Sequence, residues 1–202
     1  GSKKTPSVVV KDGDKETPST EYSVSYENNT DVGTATVTIT DVAGGNYDVS
    51  GSTTFTIGKS TITVTPTAGQ KIIYGMADPV LKYSFSGAEN SEVPAFTGAL
   101  SRAEGKDAGK YDITLGTLAL EDNSAGSFKA ANYELKLVDT TVQFEIVPKT
   151  LTAADLEFTT DSIFTKTYDK TTACTTAAVQ IRSDAIVDEN DVLPTVAGTY
   201  VY

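Results

Sequence analysis

The chain has no histidine and no tryptophan, and only one cysteine and one methionine among its 202 residues. Without imidazole there is no Ser-His or Cys-His nucleophilic pair, no histidine metal ligand and no side chain that ordinarily exchanges protons near neutrality. A single thiol, Cys174, rules out an internal disulfide framework and leaves the compartment open. Set among Thr and Ala in a strand-like run, it reads as a buried structural thiol, not a reactive one. No apolar run approaches the ~18 residues of a membrane-spanning helix, so no membrane insertion is expected of this segment. No basic n-region and apolar h-region open the chain. Gly1-Ser2 reads as the scar of a removed tag, and the chain as an excised piece whose signal and anchor lie elsewhere. Neither G-x-x-x-x-G-K-[ST] nor G-x-G-x-x-G occurs, so no phosphate-cradling loop and no cofactor is expected.

Positive charge is also scarce. Sixteen basic residues against twenty-seven acidic ones give a net charge of −11. That balance repels a phosphate backbone and an anionic membrane surface, so nucleic acid is not an expected partner. It suits a well-solvated protein exposed to the outside medium.

What the chain does have is Thr, Tyr and Gly: thirty-two threonines, ten tyrosines and sixteen glycines. This composition favours strands and tight turns, with almost no helix. Val8-Val9-Val10 reads as a short strand before an Asp12-Gly13 turn. Tyr22, Val24 and Tyr26 then share one face while Ser23 and Ser25 take the other. From Gly33, Ala35, Val37 and Ile39 alternate with Thr34, Thr36, Thr38 and Thr40, the cleanest amphipathic strand in the chain. Ala43-Gly44-Gly45-Asn46 turns the backbone, and the run from Tyr47 through Phe55 to Ile57 returns antiparallel to it.

The same logic recurs downstream. Asn46-Tyr47, a strand ending in Phe55-x-Ile57, a Lys59 hinge and a Thr-rich strand are echoed by Asn132-Tyr133, Phe144-x-Ile146, Lys149 and a second Thr-rich stretch. Between them, Leu81, Tyr83 and Phe85 mark an apolar strand face, and Phe96 and Leu100 a short strand. Ala108 to Tyr111 opens the next strand, and Ser101 to Lys106 is the one plausible helical turn. Short joins predict modules set end to end with limited hinge freedom.

PSVVVKDG, EYSVSYENNTDVGTATVTI, GNYDVSG and TTFTI, over residues 6–58, resemble a repeat of Gram-positive surface proteins. The match starts without the strand that usually precedes the Pro-Val segment. YGMADPVLKYSFSG, FTGALSRAEGKDAGKYDITLG, NYELKL and VQFEIVPKTLT, over residues 60–148, resemble the MBG repeat, a ubiquitin-like β-grasp module related to mucin-binding domains of bacterial adhesins. From Lys149, the run Lys166-Thr167-Tyr168-Asp169-Lys170-Thr171-Thr172 is similar to the opening of a YDG repeat, with Lys170 in place of the Gly. Ala197 to Tyr200 lines up with Ala108 to Tyr111, and the chain then stops, leaving an open strand edge that invites self-association.

The expected fold is therefore mainly β: tandem small β-grasp-like or β-sandwich modules arranged end to end, over 1–58, 59–148 and 149–202. The MBG resemblance implies a surface-exposed repeat on a Gram-positive cell that spaces or presents other domains, with a host glycan or protein as an alternative ligand. No catalytic, cofactor-binding or metal-binding residue is assigned. Asp12, Asp14 and Glu16 fit neither a glycosidase pair nor an EF-hand loop, which needs alternating ligands and a Glu at its twelfth position; they read as turn residues. Lys82 and Lys136 alternate with apolar neighbours and so face outward, away from any isopeptide chemistry. Tyr22, Tyr26, Tyr83 and Tyr133 lie in phase with the apolar faces and read as core side chains, not a sugar-stacking platform.

Overall fold

A computed structural model describes residues 1–138, 141–158, 170 and 179–191. The chain is mainly β, and its described residues contain sixteen strands and three single-turn 3-10 segments. Contacts divide it into two compact units. The first comprises Gly1–Gln70, Val80–Ala103 and Tyr111–Phe144; the second comprises Lys71–Pro79, Glu104–Lys110 and the described residues of Glu145–Tyr202.

The first unit opens on a two-residue hairpin, β1 (Lys11–Asp12) against β2 (Lys15–Glu16), closed by Gly13 at φ +60°. Its register sets Lys11 opposite Glu16 and Asp12 opposite Lys15, so the carboxylates proposed from sequence as turn residues stand beside cations at the surface. The strand expected at Val8–Val10 is not formed. That segment instead runs across the following sheet, tied by its carbonyls: Tyr22 donates to Val8 O (3.4 Å) and Tyr26 to Pro6 O (2.5 Å). Asn29, buried, closes the strap by donating to Lys4 O while Lys4 N–H donates to Asn29 O.

Strands β3 (Tyr22–Glu27), β4 (Gly33–Asp41) and β5 (Ser50–Ile57) form an antiparallel meander with β4 in the middle. Residues directly opposite share a face. Tyr26, Val37 and Thr53 form one such row, Val24, Ile39 and Gly51 another, and Ala35 faces Phe55. Ala35 and Val37 are fully packed because this is the face the strap covers. The opposite face is nearly all hydroxyl: Ser25, Thr38 and Ser52 in one row, Ser23, Thr40 and Ser50 in the next, Thr34 against Thr56. Strand β5 starts later than the sequence suggested. Tyr47 lies outside it, since Glu21 accepts from Asn46 N–H at 2.6 Å and holds the Gly-Gly-Asn turn open.

Only Gly58 and Lys59 separate β5 from β6 (Ser60–Pro66), whose Ile62 and Val64 are fully buried. After β7 (Lys71–Ile73) the chain returns as β8 (Tyr83–Ser86), antiparallel to β6 with Phe85 opposite Val64. Strand β9 (Ala95–Thr97) carries Phe96, but Leu100 is not on it. Gly98, at φ +73° and with Thr117 O 2.1 Å from any added Cβ, breaks the run, so Leu100 packs from the turn.

Strands β10 (Ser101–Arg102) and β11 (Gly109–Thr114) pair antiparallel, which replaces the helical turn expected at Ser101–Lys106. The Ala103 N–H is committed across the ladder to Asp112 O at 2.8 Å, and the Arg102 guanidinium lies over the rings of Tyr111 (4.7 Å) and Phe144 (5.5 Å). A helix would forfeit all three contacts.

Strand β12 (Ala119–Glu121) pairs with β9, and β13 (Tyr133–Leu137) pairs with β6 in parallel, Leu135 beside Ile62. Phe128 stacks on Tyr133 with ring centroids 4.8 Å apart and, with Ile62, forms a buried hydrophobic cluster. Asn-Tyr thus serves two purposes: in a turn at 46–47 and at the head of a parallel strand at 132–133.

In the second unit, β14 (Gln143–Val147) runs parallel to β7 from Glu145 onward, Ile146 beside Ile72. Strands β15 (Leu156–Phe158) and β16 (Val179–Ile181) form an antiparallel pair. Cys174 and Ala197–Tyr200, and all of the YDG-like stretch except Lys170, lie outside the described residues.

Glycine substitutions test this backbone. Gly87 sits at φ +99° with Thr61 O only 2.1 Å from an added Cβ. Gly87→Ala should lower the unfolding free energy by about 1–3 kcal/mol from backbone strain alone, read from the urea midpoint. Gly51, with open space around it on β5, should instead tolerate Ala and gain roughly 0.5–1 kcal/mol.

Candidate functional site

Buried charge is expensive unless it is paired and hydrogen-bonded, so the place to look for chemistry in the first unit is the one buried carboxylate among its described residues. Glu92 has a side chain 2% exposed. It is carried by the tight turn before β9, in which Asn90 and Ser91 both adopt positive φ and the Glu92 N–H donates to Glu89 O. Tyr133, at the head of β13, points its hydroxyl at Glu92 Oε2 from 2.8 Å and accepts from the Glu89 N–H at 3.2 Å. The Tyr133 proton is thereby committed to the carboxylate. The other oxygen, Oε1, accepts from the α-ammonium of Gly1.

Burial pushes the Glu92 carboxyl up, but the hydrogen bonds from the Gly1 ammonium and the Tyr133 hydroxyl outweigh it and hold the group below the usual glutamate range. Burial also raises Tyr133, and the bond to Glu92 adds to the effect. Beside this pair lies an open cavity of about 270 Å³ whose walls include Thr30, Ser60, Asn90 and Asn132.

One wall of that cavity is fixed by Asn132. Its Oδ1 accepts from the Val32 N–H (2.9 Å) and its Nδ2 donates to Asp31 (2.9 Å), tying the β3–β4 connection to the start of β13. Lys129 also donates to Asp31, at 2.6 Å. Those two donors, Lys129 first, hold the Asp31 carboxyl below its ordinary value.

The second unit has its own cleft, of about 340 Å³, with Leu151, Ile181, Ile186 and Val187 as the apolar lining and Tyr74, Lys149 and Asp191 as polar groups. Tyr74 donates to Asp191 Oδ1 at 2.7 Å, and Lys149 Nζ donates to Ala185 O at 2.7 Å. Across the same unit Lys106 forms an ion pair with Asp188. The hydrogen bond to Asp191, with burial behind it, pushes the Tyr74 phenol up to about 12. A phenol so raised stays protonated at neutral pH.

The residues weighed from sequence are dispersed. Asp12, Asp14 and Glu16 stay on the β1–β2 hairpin. Lys82 and Lys136 are exposed; Lys136 pairs with Glu134 at 2.5 Å. Tyr22 and Tyr133 are buried and Tyr26 and Tyr83 half-buried. Among the described residues, no group of three or more His, Cys, Asp or Glu side chains is placed to hold a metal ion. Glu92 was not singled out from sequence. It stands in a polar Glu-Asn-Ser-Glu run that looks like any solvated turn, and only the long-range approach of Tyr133 marks it.

Residues 62–143 match the MBG domain of the YGX type, so this stretch is similar to an MBG-type repeat. No curated protein and no solved structure shows significant similarity to the chain. No described helix is long and apolar enough to cross a membrane.

Two titrations test these assignments. Glu92 is depressed in the folded state, so its contribution to stability is present above the ordinary glutamate value of 4.5 and is lost as pH falls through the lower folded value. The stability difference between wild type and Glu92→Gln, from urea unfolding, should therefore shrink as the solution is acidified below that point. Tyr74 is raised, so ultraviolet titration should find one phenol ionising near 12 that returns to the ordinary range around 10 in Asp191→Ala.

Proposed function

We propose that the chain is a non-catalytic, tension-bearing spacer in an extracellular protein of a Gram-positive cell surface, holding another domain away from the wall. The observation that carries this reading is the pairing of early with late strands: β6 runs parallel to β13 and β7 runs parallel to β14. When a chain is pulled from its two ends, the early strand of each pair is drawn toward its N-terminal end and the late strand toward its C-terminal end. For parallel partners these pulls are opposed along the strand axis. The ladder is then loaded in shear and its evenly spaced bonds must fail together. An antiparallel hairpin such as β3–β4 opens one bond pair at a time under the same pull. The surface-associated character of MBG modules and the acidic composition support the same reading.

A ligand-binding adhesin module is the second reading. It is supported by Phe85, 45% exposed on β8, whose ring lies 4.9 Å from that of Phe96, which is in turn 5.7 Å from the Tyr83 ring. Such an aromatic cluster is a surface on which a sugar face or an apolar side chain can stack.

Single-molecule pulling between the two termini separates these. The spacer reading expects the 59–148 segment to unfold at distinctly higher force than the β3–β5 meander, and the chain to stay silent on a glycan array. Equal unfolding forces would remove the mechanical argument. Array binding that Phe85→Ala abolishes would establish the adhesin reading in its place.

A further inference from the structure

The outer edge of a sheet presents a row of unpaired N–H and C=O groups, which proteins blunt with charge, proline, a bulge or shortness. Strand β5 has none of these devices. It is the longest edge strand among the described residues, eight residues from Ser50 to Ile57, and carries neither a charge nor a proline. Its register with β4 runs unbroken from Thr40–Ser50 to Gly33–Ile57, so no bulge turns the edge away. Ser50 to Thr54 and Thr56 are exposed, and among the described residues none outside β4 hydrogen-bonds to the β5 backbone. The other outer strand of the meander is different. Two copies paired antiparallel through β3 about Val24 would set Glu21 opposite Glu27, a like-charge pair that resists the contact.

We propose that β5 is a homodimerisation edge, to which a second copy of this chain adds antiparallel, joining the three strands of each meander into one continuous sheet. The strand is complementary to itself. A two-fold axis through Thr54 sets Thr54 against Thr54, Ser52 against Thr56, Thr53 against Phe55 and Gly51 against Ile57. Every such pair keeps its face, so hydroxyl row continues hydroxyl row, and the face carrying Ala35 and Val37 is likewise extended. Asp48 stands two residues before β5 and Lys59 two residues after it, both exposed. Antiparallel pairing brings Asp48 of each copy to the end where Lys59 of the other lies, whereas parallel pairing would set like against like. About six to eight ladder hydrogen bonds form. The contact is isologous and closes at two copies, leaving β3 with its glutamates as the outer strand on both sides. The hydroxyl faces then lie side by side, not against one another. One strand edge buries far less than the ~1,600 Å² of a standard interface, so the dimer is weak, with a Kd on the order of 0.1 mM. The pairing does not depend on the spacer reading, because it uses neither β6–β13 nor β7–β14.

The test is sedimentation equilibrium of the full chain from about 0.01 to about 1 mM, in about 0.15 M salt so that the net charge of −11 is screened. Expected is a reversible monomer–dimer equilibrium with no larger species, and NMR amide shifts that grow with concentration along β5 but not along β3. Thr54→Lys, at an exposed position on the hydroxyl face, places two ammonium groups opposite each other on the axis and should weaken the dimer about fivefold. Thr54→Glu should do the same by itself. An equimolar mixture of the two variants should recover dimer to the wild-type level or beyond, which a merely misfolded variant could not do. Monomer throughout the range, a dimer indifferent to Thr54→Lys, or no recovery in the mixture would each overturn the proposal.

Discussion

The chain from β6 to β13 is arranged by one parallel ladder, β13 against β6. Two parallel strands cannot be joined by a tight turn, so the chain must leave β6, cross the sheet and come back to the same end. In most proteins a helix makes that journey. Here, among the described residues, short strands make it instead, β8 through β12 with a 3-10 turn at Ala130–Asn132. The parallel pairing is thus made, among the described residues, without an α-helix across it. The crossing supplies Leu81, Leu100, Ile113, Leu118 and Phe128 to the buried core, which includes the cluster of Ile62, Phe128 and Tyr133. Polar clamps also fix its position. Asn123 donates to Val93 O, Asp122 accepts from the Ala130 N–H, and Tyr133 reaches Glu92.

What could be read from the residues alone follows from the range of the interaction involved. The alternation in Gly33–Asp41 is a local, period-2 signal, and the strand, its buried Ala35 and Val37, and its partners β3 and β5 all follow from it. The burial of Tyr133 followed from its phase in an alternating strand. Its parallel alignment with Ser60, seventy-three positions earlier, left no local trace, because a parallel pair carries no turn signature at either end. The errors have the same origin. Val8–Val10 looks like a strand by propensity, yet Tyr22 claims the Val8 carbonyl and Tyr26 the Pro6 carbonyl just before it. Ser101–Lys106 looks like a helical turn, yet Arg102 gains more by lying over two aromatic rings from a strand position. In both cases a tertiary contact overrides a weak local preference.

The candidate site was the least legible part. A glutamate in a polar turn and a tyrosine forty-one positions later share no motif. Their meeting depends on the turn at Asn90–Ser91, where two non-glycine residues hold positive φ, a conformation that costs energy and is found where the surroundings over-determine it. The anchored Glu92 carboxylate and the Glu89 N–H bond to Tyr133 supply that constraint. Electrostatics and backbone strain are therefore coupled here, with the ion pair and the phenol securing a bend that the local residues would not favour by themselves.

The β3–β5 meander has a further consequence through its uncovered face. Rows of Ser and Thr, joined in one place by the 2.7 Å contact between Ser23 and Thr40 hydroxyls, present donors and acceptors with no hydrocarbon larger than a methyl group. Water bound to such a face gains nothing by leaving, so two of these surfaces brought together release little ordered solvent and have little reason to remain in contact. At high local concentration, that lets neighbouring copies slide past one another at close range without matting together.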